Sequence, residues 1–340
     1  MNYDKIGMFE SERIRLKENA LGKSNAKIIW FGEHSVVYGK PSIAMPLYSV
    51  DVTAEIERTA AGQQIKCRYF DGPINEMTDN LKGVRVLIGT LLDVLGNRDL
   101  PFMLRITSKI PSERGMGSSA ATSVALIRAF YHLFEVPLSR GRLLELANVE
   151  EKITHGNPSG LDAATASSDM PIWLIKNEIN EQISFHLSRP CLVIADSGIK
   201  GKTGQAVSLV HDNVVDEPDL AIPLINQLGE IATLARHALA TSNESLLGTL
   251  MNQSQDHLAE LGVSTSTLDL FCRIARAHHA LGAKLTGSGL GGCMIALAAN
   301  HADAQKISTA LRQAGATQTW IQSFRNYDIS TGEKNDNLVK

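Results

Sequence analysis

The feature that most constrains this chain of 340 residues is a glycine- and serine-rich turn between a predicted strand and a long apolar helix. The strand is predicted at 102–110, the turn PSERGMGSSA occupies 111–120, and the helix is predicted at 118–134. Gly115 and Gly117 let the backbone approach an anion without a Cβ in the way, and the first N–H groups of a helix favour negative charge. The turn therefore predicts a phosphate cradle, unless it is only a tight turn with a serine N-cap.

Other interpretations of the glycine-rich segments are weaker. The same turn fits a dinucleotide fingerprint, but the residues after Glu135 predict a turn into a helix where that fold requires a strand. The segment 196–203 ends in GKT, but Asp196 stands where a P-loop requires glycine, so we expect a polar loop that carries Thr203 into a cleft. The segment 284–292 contains GxGxxG and precedes a strand-like run, which predicts a glycine loop approaching a ligand or the facing domain.

Composition excludes several classes of function. The chain has 36 acidic and 33 basic residues, a formal net charge of -3, which leaves no global positive field for nucleic acid or an anionic membrane. With 44% hydrophobic and 20% charged residues, the composition is that of a globular protein. Residues 1–20 contain no apolar h-region, no apolar run reaches membrane-spanning length, and the four cysteines form no CxxC pair, so we expect neither secretion nor a membrane span. We therefore expect a cytoplasmic protein that binds small molecules, not nucleic acid or membranes.

The predicted elements indicate an α+β fold in two domains. Short β-branched runs predict strands at 27–32, 42–47, 50–58, 65–70, 102–110, 191–196, 283–286, 293–297 and 319–323. Apolar periodicity predicts helices at 84–95, 118–134, 138–152, 221–240, 244–261 and 267–281. The stretch 177–190 is polar and precedes a new strand, so we expect domains at 20–185 and 190–326. The first twenty and last dozen or so residues are polar and aperiodic, and we expect both ends to be frayed.

A second polar segment, HGNPSGLDAAT at 155–165, offers carboxylate chemistry. Its composition alone predicts a solvated turn in which Asp162 caps the next helix. Beside a metal-bound phosphate, Asp162 would instead stay ionised and could take a proton from a hydroxyl nucleophile. Glu151 and the hydroxyl of either Ser118 or Ser119 could then share a Mg²⁺ ion that bridges the phosphates.

Four motifs together resemble the GHMP small-molecule kinases in order and spacing. They are GEHSVVYG at 32–39, PSERGMGSSAATS at 111–123, HGNPSGLDAAT at 155–165 and KLTGSGLGG at 284–292. The resemblance implies an N-terminal domain similar to ribosomal protein S5 domain 2, with a left-handed βαβ unit, and a ferredoxin-like C-terminal domain. GEHSVVYG with HGNPSGLD resembles the branch that phosphorylates mevalonate with ATP, and PSERGMGSSA and GLGGCMIAL resemble its short Gram-positive members.

The resemblance also implies a role for each matching residue. The ATP site would comprise Pro111, Gly115, Met116, Gly117, Ser118, Ser119 and Ala120. Ser119 and Glu151 would bind Mg²⁺, and Asp162 would be the catalytic carboxylate paired with Lys27. The mevalonate site would comprise Lys27, His34, Asp162, Thr203 and Gly289. Glu113 and Arg114 depart from the family's usual lead-in to the phosphate turn, and a homodimer is implied by the same analogy.

Two alternatives stay open at the level of sequence. One is another kinase of the superfamily, acting on phosphomevalonate, galactose or homoserine. The other is a metabolite sensor on the same fold that binds ATP without turnover. A sensor has no need of a complete transfer-competent set, and Lys27, Ser119, Glu151 and Asp162 are all present.

Overall fold

The computed structural model describes residues 16–155 and 159–324, which form an α+β fold on two sheets. The N-terminal half contains β1 (Asn19–Phe31), β2 (Ser42–Arg58), β3 (Gln63–Cys67), β4 (Phe70–Pro73), α1 (Lys82–Val94), β5 (Phe102–Ser108), α2 (Ser118–Leu133), α3 (Arg140–His155), α4 (Leu161–Ala166), β6 (Ile172–Ile175) and β7 (Ile179–Gln182). The C-terminal half contains β8 (Cys191–Asp196), α5 (Thr203–Asp216), α6 (Pro218–Ala240), α7 (Glu244–Glu260), α8 (Ser266–Ala277), β9 (Gly282–Thr286), β10 (Cys293–Ala298), α9 (His301–Gln313) and β11 (Gln318–Ser323).

The first sheet is organised around the long strand β2. Its order is β4-β3-β5-β2-β6-β7, with β1 antiparallel to β2 from Asn19 to Phe31. Side chains of 19–24 alternate between solvent and core, as expected for a strand with one wet face, whereas 26–31 are buried on both faces. The second half of β1 therefore runs inside the molecule, and Lys27 lies on this buried stretch.

The second sheet is antiparallel and has the order β11-β8-β10-β9. Numbered within the C-terminal half, this is strand order 4-1-3-2, and the chain passes β-α-β-β-α-β with three extra helices in the first crossover. That order is the ferredoxin-like arrangement. The α+β fold class and the ferredoxin-like C-terminal half predicted from the motifs are confirmed.

One hydrophobic cluster crosses between the two halves. The Trp30 ring, near the end of β1, stacks on Phe324 with centroids 5.1 Å apart, and its Nε1 donates to Met251 Sδ on α7. Ile194 of β8 and Ile295 of β10 belong to the same cluster as the core beneath β1 and α2. The N-terminal and C-terminal halves thus pack on a common hydrophobic core.

Several predicted elements need correction. The strands predicted at 42–47 and 50–58 are one strand, β2, which pairs with β1 on both sides of a register shift at residues 48–50. The strand predicted at 65–70 is wrong, since a turn at Arg68 and Tyr69 separates β3 from β4. The helix predicted to reach 281 ends at Ala277.

Other elements were not predicted from the sequence. They are α5, α9 and β7; β7 is short and polar, whereas α9 buries Ala304, Ile307 and Leu311 at a helical spacing that the sequence analysis missed. The polar loop expected at 196–203 spans 197–202, and Thr203 begins α5. Most of the ends expected to fray lie outside the described residues, although residues 19 and 20 already belong to β1. Among the described helices, none combines the length and apolarity that crossing a bilayer requires.

Candidate active site

The predicted phosphate turn joins β5 to α2 and leaves the start of α2 without a capping side chain in the described part of the chain. Gly115 and Gly117 have φ of 72° and 70°, in the left-handed region that favours glycine. Gly117 is the N-cap of α2, and Ser118 and Ser119 are its first two residues. The alternative of a serine N-cap is therefore wrong. The first N–H groups of the helix remain available to an anion, as a phosphate cradle requires.

Lys27 and Asp162 meet beside this turn. The Lys27 ammonium Nζ lies 2.9 Å from Asp162 Oδ1 and donates to the Gly115 carbonyl at 3.2 Å. The Lys27 side chain is 3% exposed, whereas that of Asp162 is 38% exposed. A buried ammonium thus holds a carboxylate that still reaches solvent, at the N-terminal end of α2.

The position of Asp162 rules out the simpler structural interpretation. The N-cap of α4 is Gly160, with φ of 76°, and Asp162 is the second residue of the helix. Asp162 therefore does not cap α4, and its carboxylate pairs with Lys27. Residues 156–158 of the HGNPSGLD motif lie outside the described residues.

Two adjacent acidic residues near the end of α3 face different neighbours. The Ser119 hydroxyl donates to Glu150 Oε1 at 2.6 Å, whereas Glu151 Oε1 accepts the Ala163 N–H at 3.1 Å. Burial and the nearby Asp162 carboxylate raise the pKa of Glu151 to about 8. That Ser119 and Glu151 together bind Mg²⁺ stays a prediction, and the carboxylate bonded to Ser119 in the structure is that of Glu150.

The oxygen donors at this end of α2 fit a magnesium ion. Mg²⁺ favours hydroxyl and carboxylate oxygens, and commonly takes only one or two carboxylates with the remainder from phosphates and water. Burial destabilises the Glu151 anion, and a divalent cation would stabilise it. The described residues contain no group of three or more His, Cys, Asp or Glu arranged to hold a metal unaided, so the nucleotide would have to complete the shell.

Of the predicted substrate-binding residues, His34 and Thr203 both contact Ser288. His34 Nε2 lies 2.9 Å from the Ser288 carbonyl, and Thr203 Oγ1 lies 3.2 Å from Ser288 Oγ. Burial lowers the pKa of His34, which favours the neutral imidazole. Gly289 has a packing reason for being glycine, because a Cβ there would lie 2.1 Å from the Val263 carbonyl.

The third glycine-rich segment supports the phosphate turn. A Cβ on Gly287 would lie 3.1 Å from Gly115 Cα, and one on Gly292 would lie 2.9 Å from the Arg114 carbonyl. The predicted close approach to the facing domain is confirmed, and the partner is the backbone of the phosphate turn.

Charged side chains tie the same turn to the C-terminal half. Arg114 Nε lies 2.7 Å from Asp196 Oδ1 at the end of β8, and Arg114 Nη2 donates to the Gly198 carbonyl at 3.1 Å. Glu113 Oε2 and Lys200 Nζ form a second pair at 2.8 Å. Both residues that depart from the family's lead-in therefore pair with the C-terminal half, and Asp196, which breaks the P-loop pattern, is the partner of Arg114.

Sequence reasoning missed a buried ion pair between the halves and the role of Glu150. Lys284 of β9 donates to Glu33, which follows β1, and both side chains have no exposed surface. A lysine within the apolar strand GAKLT was the available signal. Glu150 and Glu151 follow the apolar positions Leu143, Leu146 and Ala147 at helical spacing, which would have predicted that both acids face the core.

Comparisons with known proteins agree with this geometry. The model of the GHMP kinases N-terminal domain matches residues 84–169, and that of the GHMP kinases C-terminal domain matches 235–317. Mevalonate kinase of Pyrococcus furiosus is 33% identical over 318 residues, covering 87% of this chain and 94% of that protein.

Solved structures give the same result. The structure of L. major mevalonate kinase in complex with R-mevalonate has a TM-score of 0.75 and 28% identity, and the match covers 93% of this chain and 99% of that one. Mevalonate kinase from methicillin-resistant Staphylococcus aureus MRSA252 has a TM-score of 0.71 and 29% identity, covering 91% and 99%. With the motifs, the fold and the relatives in agreement, the chain belongs to the mevalonate kinase family of the GHMP kinases.

Proposed function

We propose that this protein transfers the γ-phosphoryl group of ATP to the 5-hydroxyl of (R)-mevalonate, forming 5-phosphomevalonate and ADP in the mevalonate route to isopentenyl diphosphate. The observation that carries the proposal is the Lys27–Asp162 ion pair at the N-terminus of α2. A carboxylate that reaches solvent, a buried ammonium and a phosphate-binding helix end are the groups that transfer to an alcohol requires. The nearest alternative, another GHMP kinase, is not favoured by the relatives.

In this proposal the turn 111–120 holds the phosphates of ATP. The first N–H groups of α2 donate to phosphate oxygens, and the glycines let the backbone approach them. Pairing with Asp162 and the Gly115 carbonyl fixes the Lys27 ammonium beside the turn. Much of the catalysis then comes from holding both substrates in line within a preformed electrostatic site.

Asp162 accepts the proton of the 5-hydroxyl as the oxygen attacks the γ-phosphorus. Lys27 pairs with the Asp162 carboxylate before the transfer and stabilises the developing negative charge on the attacking oxygen. When bound, Mg²⁺ neutralises the phosphate charges, and we propose that Ser119 and Glu151 hold it. His34 and Thr203, joined through Ser288, would orient the remaining polar groups of mevalonate.

The proposal is tested by an assay of ADP release with Mg²⁺, ATP and a panel of mevalonate, phosphomevalonate, galactose and homoserine. We expect turnover on mevalonate alone, with product identified by ³¹P NMR. Turnover on another panel member would assign the chain to that activity. ATP binding with no turnover on any of the alcohols would favour the sensor alternative.

The catalytic assignment has its own test in Asp162→Asn. The amide cannot accept the proton or pair ionically with Lys27, so we expect kcat to fall by at least about 10³-fold while ATP affinity changes only a few fold. Asp93→Asn is the control, because Asp93 makes an exposed ion pair with Arg98 on the far side of α1. An Asp162→Asn enzyme with near-normal kcat would remove Asp162 from its proposed role.

Further assignments remain predictions. We propose domain limits of 20–185 and 190–326, supported by the change of sheet between β7 and β8. The homodimer, the cytoplasmic location and the Gram-positive subtype rest on analogy and composition. Light scattering on the purified protein would test whether it is a homodimer.

A further inference from the structure

We propose that Glu150 is a positioning residue that accepts a hydrogen bond from the Ser119 hydroxyl and so presents the lone pairs of the Ser119 oxygen to a cation and not to a phosphate oxygen. The inference deepens the proposed function and rests on it, because it concerns how the metal–nucleotide complex is held. It assigns to Glu150 a role distinct from that of its neighbour Glu151.

The carboxylate of Glu150 is surrounded by hydroxyl groups. Its Oε1 accepts from Ser119 at 2.6 Å and from Thr154 at 2.5 Å, and its Oε2 accepts from Ser123 at 3.3 Å. Ser119 and Ser123 lie one turn apart on α2, and Thr154 lies one turn further along α3. Glu150 thus joins α3 to the first turn of the phosphate-binding helix.

The direction of these hydrogen bonds follows from the chemistry of the groups. The hydroxyls of Ser119, Ser123 and Thr154 carry the protons and the carboxylate oxygens of Glu150 accept them, so each hydroxyl is the donor. A serine has one proton, and the Ser119 proton is used in the bond to Glu150. The Ser119 oxygen therefore has only lone pairs left for a ligand. Lone pairs bind a cation, whereas a phosphate oxygen needs a donor, so Ser119 is suited to the metal.

Glu150 itself is poorly placed to bind the metal directly. It is 3% exposed, and both of its oxygens already accept hydroxyl protons. Helix α1 covers it closely, since a Cβ on Gly83 would lie 2.9 Å from Glu150 Oε1. Glu151 points elsewhere, towards the start of α4, where it accepts the Ala163 N–H. The two acidic residues therefore have different proposed roles. Glu150 orients the metal ligand Ser119 without binding the metal, whereas Glu151 is itself a metal ligand.

The test is a double-mutant cycle read out by metal binding. Wild type, Glu150→Gln, Ser119→Ala and the double variant are titrated with Mn²⁺ in the presence of ADP, and free Mn²⁺ is measured by electron paramagnetic resonance. Gln can donate an amide N–H to Ser119 Oγ, which reverses the hydrogen bond. We expect Glu150→Gln to weaken Mn²⁺ affinity of the ADP complex about 10-fold, as is typical of groups that orient a metal ligand.

The effects of Glu150→Gln and Ser119→Ala on Mn²⁺ affinity should not be additive. Once Ser119 is alanine, Glu150→Gln should change Mn²⁺ affinity by less than about twofold, because its effect passes through the missing hydroxyl. In steady-state kinetics, Glu150→Gln should raise the KM for Mg-ATP and leave the KM for mevalonate unchanged. Equal losses in both backgrounds, or an unaltered affinity in Glu150→Gln, would overturn the inference.

Control variants separate this effect from general damage. Thr154→Val also removes a hydroxyl bonded to Glu150 Oε1, but it is not on α2, so we expect Mn²⁺ affinity within about twofold of wild type. If Glu150→Gln fails to fold, the cycle is run with Glu150→Asp, which keeps the charge and draws it away from Ser119. The Mn²⁺ readout needs no mevalonate, so a wild type that binds Mn²⁺ and ADP but does not phosphorylate mevalonate would contradict only the proposed function.

Discussion

Glu150 and Glu151 are neighbours on α3 and equally buried, yet their carboxylates meet different surroundings. Glu150 accepts hydrogen bonds from three hydroxyl groups, whereas Glu151 accepts one from the Ala163 N–H and lies near the Asp162 carboxylate. Burial and like charge both disfavour the Glu151 anion. At the scale of single residues, a buried carboxylate therefore lies next to a second acidic group at the place where a cation is expected.

The raised pKa of Glu151 predicts a pH dependence of stability without metal or nucleotide. Its pKa is raised to about 8 in the folded protein from the ordinary value of 4.5. Between these values the unfolded chain loses the proton and the folded protein keeps it, so folding binds a proton and stability falls as pH rises. We expect Glu151→Gln to remove this fall. The free energy of unfolding of the variant minus that of wild type should therefore rise by on the order of 2 kcal/mol or more between pH 5 and pH 8.

Urea unfolding in EDTA at a series of pH values measures this difference. Glu145→Gln is the matched control on the same helix, because the Glu145 side chain is exposed and makes a surface pair with Arg142. Parallel pH profiles for wild type and Glu151→Gln would show that Glu151 is ionised in the free protein.

At the scale of elements, the start of α2 depends on a contact with β1. Gly117 must adopt φ of 70°, and a Cβ there would lie 2.7 Å from Lys27 Cγ and 2.9 Å from Lys27 Cε. The backbone N–H of Lys27 also donates to the Met116 carbonyl at 3.0 Å. Strand and turn thus determine jointly where the Lys27 ammonium lies.

Gly117→Ala tests this coupling. The added methyl group should displace the Lys27 side chain from Asp162, and we expect kcat to fall at least about 10-fold, with a stability loss of about 1 kcal/mol from the strained backbone. Gly96→Ala is matched in conformation, with φ of 73°, and its Cβ would meet no described atom within 4 Å. The control should lose similar stability and keep its activity; equal activities in the two variants would contradict the coupling.

At the scale of the whole molecule, the halves are joined by a common core and by buried polar bonds. Thr286 of β9 donates to the Ile29 carbonyl at 2.8 Å and accepts the Ile29 N–H at 3.0 Å. Burial raises the pKa of Glu33 and lowers that of Lys284, and their mutual attraction opposes both shifts. These bonds align the end of β1 with the strand that leads into the glycine loop.

Breaking the Glu33–Lys284 pair should leave an uncompensated buried charge. We expect Lys284→Met to cost about 3–5 kcal/mol, which lowers the midpoint of thermal unfolding by on the order of 5–10 °C. Lys284→Met combined with Glu33→Leu removes both charges and should recover much of the loss. Calorimetry measures the midpoints, with Lys66→Met in the exposed Lys66–Asp71 pair as a control that stays near wild type. No recovery in the double variant would show that the cost arises from lost packing.

The phosphate turn, the α+β class and most long elements could be predicted because they are local. A helix such as α2 has its apolar residues, its N-terminal glycine and its serines within a few positions of one another. Strand β8 was predicted to the residue, since a short apolar run bounded by proline and polar residues carries its own limits. The motifs also pointed to Lys27, Ser119 and Asp162 before their distances were known.

The partners of these residues were decided by tertiary structure alone. Glu150 and Glu151 have the same side chain and adjacent positions, and only the packing of α1, α2 and α4 around α3 determines which carboxylate meets Ser119. Likewise, Asp196 and Arg114 are 82 residues apart, and no local pattern relates them. The sequence by itself determined the chemistry that this protein carries, because residue types and local spacing set it. The tertiary structure decided which groups meet, because hydrogen bonds and ion pairs depend on distances that only the packed fold defines.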